Sequence, residues 1–91
     1  MSPVIILNAT GFVNQYTLTI MEETGQNQIK LNVEGIEDFV AGIAQQKGIN
    51  HIILNGANSS YLQGLADDIA QSASILYGLN NLEIEVLSWD I

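Results

Sequence analysis

Apolar and polar positions change rhythm several times along this chain, and each change marks an element. Val4-Ile5-Ile6-Leu7 is an unbroken apolar run ended by Asn8 and Gly11, the pattern of a strand buried on both faces. From Tyr16 to Met21 the chain alternates, with Tyr16, Leu18 and Ile20 on one side and Thr17, Thr19 and Met21 on the other. Glu22-Glu23-Thr24-Gly25-Gln26-Asn27 is turn material, in which Gly25 accepts a positive φ without steric cost. Alternation resumes with Ile29, Leu31 and Val33 against Gln28, Lys30 and Asn32. These two segments predict a hairpin with one wet face.

Helical spacing follows. Ile36, Phe39, Val40, Ile43 and Ala44 form one stripe at i, i+3, i+4, i+7 and i+8. Glu37 and Asp38 in its first turn and Lys47 in its last complement the helix dipole, and Gly48 serves as C-cap. His51-Ile52-Ile53-Leu54 is a second short apolar strand. Asn58, Ser59 or Ser60 can cap a second helix, whose stripe is Leu62, Leu65, Ala66, Ile69, Ala70, Ala73, Leu76 and Tyr77 before Gly78. Leu82, Ile84 and Val86 alternate with Glu83 and Glu85 as a last strand.

The order β-β-β-α-β-α-β defines an α/β domain, residues 1–91, around a single mixed five-stranded sheet. The two apolar runs belong at the centre and the alternating strands outside. Hairpin pairing and right-handed crossovers then predict the order 3-2-1-4-5, with only strand 2 antiparallel and both helices on one face. That face is covered; the other keeps apolar side chains from the central strands, and something has to cover it, either the C-terminal tail folding back or a second copy of the protein.

This succession over residues 4–87 resembles the ribonuclease-H-like fold, shared by retroviral-integrase-type nucleases, junction resolvases and actin-like ATPases. The larger members carry C-terminal helices for which this chain, ending at Ile91, has no counterpart. Small size, acidity and those missing helices fit a phage or mobile-element protein. In the nucleases, carboxylates at the ends of the first and fourth strands hold two metal ions. The matching positions here are Asn8 and Asn55, both neutral amides, which offer a divalent cation no charge. The resemblance is one of topology, and no metal site is expected.

Composition narrows the function classes. Ninety-one residues make one thin core, burying roughly 60–65% of the unfolded surface. Ten carboxylates face only Lys30 and Lys47, with no arginine and a net charge of −8. Phosphate binding draws on Lys and Arg that displace counterions, so nucleic acid is an unfavourable partner, and an anionic membrane is unfavourable for the same reason. The acidity serves either solubility or a partner with a basic face. With no cysteine there is no disulfide framework or thiolate site, and neither a signal peptide nor a span of ~20 apolar residues is visible. The expected compartment is the cytoplasm of a cell or infected host.

Catalytic constellations are missing from the pattern. His51 is the lone histidine, at the start of a strand, and no nucleophile elbow or phosphate-binding glycine motif occurs. The strand-end edge is the candidate ligand site: Asn8, Thr10 and Gly11 from one loop, and Asn55, Gly56, Asn58, Ser59 and Ser60 from the other. Ligands of open α/β sheets favour that edge, near a helix start. The same small polar residues also make ordinary strand-to-helix loops. No cofactor is implied. Leu87, Trp89 and Ile91 form an apolar tail, so they are the interface candidates.

Three functions are therefore open. The leading one is a small acidic, non-catalytic protein-interaction module that binds another protein or forms a homodimer through the helix-free sheet face. The second is a ligand-binding domain or enzyme using the edge around Asn8 and Asn55. The third is a nucleic-acid mimic, in which Glu22, Glu23, Glu34, Glu37, Asp38, Asp67 and Asp68 stand in for phosphates.

Overall fold

In a computed structural model, described over residues 2–9 and 14–89, seven elements follow the expected order. They are β1 (Val4–Ala9), β2 (Gln15–Glu22), β3 (Gly25–Asn32), α1 (Ile36–Lys47), β4 (His51–Gly56), α2 (Ser59–Tyr77) and β5 (Glu83–Ser88). The strands form one mixed sheet in the order β3-β2-β1-β4-β5. β1 and β4 are parallel, as are β4 and β5, while β2 runs antiparallel to both of its neighbours.

Side-chain alternation divides the sheet into two unlike faces. Ile5, Leu7, Ile52 and Leu54 are at most 1% exposed, and Leu18 of β2, paired with Leu7, joins them. Ile36, Val40 and Ala44 of α1 and Leu62, Leu65 and Ile69 of α2 close the same core. Both helices therefore cover one face. Their sequence neighbours Val4, Ile6 and Ile53 point the other way and are only half-buried. The apolar runs predict burial on both faces; this is corrected, because among the described residues no element lies over the second face.

The hairpin is tighter than its composition implies. Glu22 pairs with Gly25, leaving Glu23 and Thr24 as the turn, and Gly25 has φ 144°. Gln26 and Asn27 read as turn but belong to β3. That strand is an edge strand on which every residue except Leu31 is exposed, and its first residues, Gly25 to Gln28, carry no apolar side chain to mark them as strand.

Helix ends follow local chemistry closely. The Asn58 side chain caps α2, accepting the Tyr61 N–H at 2.9 Å. Gly48 and Gly78 end the two helices at φ 66° and 67°, a left-handed conformation that glycine takes without Cβ strain. The apolar stripes are buried less fully than their spacing predicts. Phe39 is 40% exposed and Ala41 is fully buried instead. α2 lies along the flank of α1 that carries Asp38 and Gly42: Ser72 Oγ donates to Asp38 Oδ1 at 2.7 Å, and the Tyr77 ring sits over Gly42. Phe39, about 100° further round the helix from Asp38, faces away from that contact. Leu76 and Tyr77, in the last turn of α2, are also exposed.

Candidate functional site

Strand register turns the helix-free face into a grid, because directly paired residues share a face. Its middle row runs Gln28, Thr19, Ile6, Ile53, Glu85 from β3 to β5. The next row is Lys30, Thr17, Asn8, Asn55, Leu87. At the other end stand Gln26, Met21 and Val4, with His51 and Glu83 paired beside them. The centre is thus apolar through Val4, Ile6, Met21 and Ile53, and one end is a row of amides and hydroxyls. The β3 edge carries Lys30, and the β5 edge carries Glu83 and Glu85.

Contacts within the grid are few. Gln28 Nε2 donates to Thr19 Oγ1 at 3.4 Å, and His51 Nε2 lies 3.0 Å from Glu85 Oε1. Asn55 Oδ1 is buried with no hydrogen-bond partner. An acceptor left in that state costs about 1–3 kcal/mol.

The strand-end candidates do not make one site. Asn8 and Asn55 lie side by side in register, as expected, but on the helix-free face. Gly56 points the other way, where a Cβ would meet Ala9 O at 3.3 Å and Leu62 Cδ1 at 3.5 Å; its lack of a side chain lets α2 start against the sheet. Asn58 is engaged as a cap, Ser59 opens α2, and Ser60 lines an open depression of about 300 Å³ with Tyr16, Tyr61 and Glu37. Thr10 and Gly11 lie outside the described residues. Alternation along the strands is what sends the two sets to opposite faces.

The interface candidates also move. Leu87 and Ser88 belong to β5 and are not a tail, and Leu87, 50% exposed, stands beside Asn55 on the grid. Trp89 continues the pairing through its N–H to Gly56 O at 2.9 Å, with its side chain 60% exposed. Ile91 lies outside the described residues.

Charge is divided unequally between the layers. Glu37, Asp38 and Asp68 line a groove of about 340 Å³ between α1 and α2, together with Ile75 and Leu76. Glu22 pairs with Lys47 at 3.1 Å, on the helix side of the sheet. The grid holds only Lys30, Glu83 and Glu85 as formal charges beside His51. Among the described residues, no three histidine or carboxylate side chains gather as metal ligands, and no helix is long and apolar enough to cross a membrane.

Sequence reasoning missed the Tyr16–Tyr61 pair, whose hydroxyls are 2.7 Å apart. Burial first, and the hydrogen bond second, push the Tyr16 hydroxyl well above the usual tyrosine range. It missed Lys30 and Glu85 as features of one surface as well. The only available signal was their shared outward parity on alternating strands, and parity does not say which strands share a sheet edge. No protein-family model matches the chain, and no curated protein matches it.

Proposed function

We propose that this protein is a small, non-catalytic interaction module that works by docking its helix-free sheet face onto a protein surface. The observation that carries the reading is the division of charge. Glu37, Asp38, Asp67 and Asp68 sit on the helices, whereas the sheet grid has an apolar centre and few charges. A charge-poor, apolar-centred face with exposed Leu87 and Trp89 at its margin has the composition of an interface core and rim. Five strands about 4.8 Å apart and about 20 Å long give a footprint of about 480 Å², at the small end of interface sizes and below the ~800 Å² per partner of a standard one.

The strand order fits a ribonuclease-H-like scaffold, used here without the nuclease chemistry, because neutral Asn8 and Asn55 occupy the strand ends. A photo-crosslinking side chain tests the docking surface. Placed at Ile53 in cells that make the protein, it is expected to yield protein adducts; placed at Ala70 on α2, it is not. Adducts from Ala70 alone would overturn the reading.

A second reading rests on the groove between the helices. Glu37 and Asp38 from α1 and Asp68 from α2 meet there, so part of the acidic set stands in one place as a phosphate mimic would require. Glu22, paired with Lys47, and Asp67, which lines a separate depression beside β5, break the stripe. Salt-sensitive binding to a nucleic-acid-binding protein, lost on Asp38→Asn with Asp68→Asn, would favour it over the sheet-face reading.

A further inference from the structure

We propose that the occupant of the helix-free sheet face is a second copy of this chain, packed face to face about a two-fold axis that runs along β1. The inference rests on the interaction reading above and names its partner. Stacked sheets pack either aligned or orthogonal, and an aligned symmetric pair can place its axis along the strands or across them. The placement of charge on the grid distinguishes the two.

β1 is the middle strand of five. An axis along it lays β2 of one copy over β4 of the other, and β3 over β5, while each row stays at its own level. The row of Thr17, Asn8 and Asn55 then faces its own copy and Ile6 meets Ile6, while Ile53 lies over Thr19 and Met21 over His51. An axis across the strands reverses the levels. It lays Ile6 and Ile53 on their own copies but brings Asn8 over Val4 and Thr17 over Met21, so each axis sets some polar groups against apolar ones, at a cost in desolvation.

Charge separates the two axes. Among the described residues Lys47 pairs with Glu22, whereas Lys30 pairs with no carboxylate. The axis along β1 carries Lys30 to the β5 edge of the other copy, over Leu87 and one residue pair from Glu85, and symmetry forms this contact twice. The crosswise axis sets Glu85 against its own copy, like charge on like.

Sedimentation equilibrium at physiological salt tests both the partner and the axis, with circular dichroism confirming that each variant is folded. The unaltered protein is expected to be dimeric at micromolar concentration, and Ile53→Glu monomeric. Lys30→Glu and Glu85→Lys are each expected to raise the dimer dissociation constant about tenfold, as two lost rim pairs imply. The double variant Lys30→Glu/Glu85→Lys is expected to recover most of that loss. A protein that stays monomeric at several hundred micromolar overturns the second copy as partner, yet leaves the docking face to the crosslinking result. A dimer indifferent to Ile53→Glu uses another surface and overturns the proposal. A dimer broken by Ile53→Glu but not restored by the charge swap overturns the axis along β1 alone.

Discussion

Leu65 and Phe39 occupy equivalent-looking places in two apolar helical stripes, and they differ sharply in surroundings. Leu65 is 6% exposed in the core beneath α2, whereas Phe39 is 40% exposed on the flank of α1 away from α2. Leu65→Ala removes buried methyl groups and leaves a cavity, so it is expected to destabilise by about 2–5 kcal/mol. Phe39→Ala uncovers no such cavity and is expected to cost about 1 kcal/mol or less. Urea denaturation of the two variants checks this directly, and equal losses would mean that Phe39 is packed. Spacing identified both residues as candidates for the core. It could not say that a second helix would lie along the Asp38 and Gly42 side, and that neighbour decides which end of the stripe is buried.

Within the helices, two glycines of α2 have opposite meanings. Gly64 sits inside the helix, with nothing within 4 Å of a Cβ placed there, and Gly78 ends it at φ 67°. Gly64→Ala lowers the entropy of the unfolded chain without strain and is expected to stabilise by about 0.5–1 kcal/mol. Gly78→Ala puts a Cβ into the left-handed region and is expected to destabilise by about 1 kcal/mol. Thermal melts of both variants separate these effects, and a stabilising Gly78→Ala would mean that the cap is not maintained. Such ends were legible because caps are local: Asn58, Gly48 and Gly78 act on their own helices through bonds a few residues long. The β2–β3 turn was less legible. Gln26 and Asn27 favour turns in isolation, but pairing with Met21 and Ile20 across the hairpin holds them in a strand.

For the molecule as a whole, the excess of carboxylates over two lysines governs what it can approach. Neither duplex nor single-stranded nucleic acid is expected to bind at physiological salt, and no Mg²⁺- or Mn²⁺-dependent cleavage is expected. Mobility shifts and cleavage assays on freshly prepared, mass-verified protein check this. Cleavage abolished by a chelator and by Asn8→Ala would overturn the interaction reading. The sequence by itself determined this charge limit, together with the order of elements and of strands. Val4–Leu7 and His51–Leu54 are the most apolar strands, so burial drives them to the centre, and right-handed crossovers leave one arrangement for the rest. Only the tertiary structure decided how the surface reads. Strand period separates two faces, but register determines that Asn8 stands beside Asn55, away from Asn58 and the start of α2. Register also sets Lys30 at one margin of that face and Glu85 at the other. Their relation depends on hydrogen-bonded pairing across four strand boundaries, and no local preference of either residue encodes it.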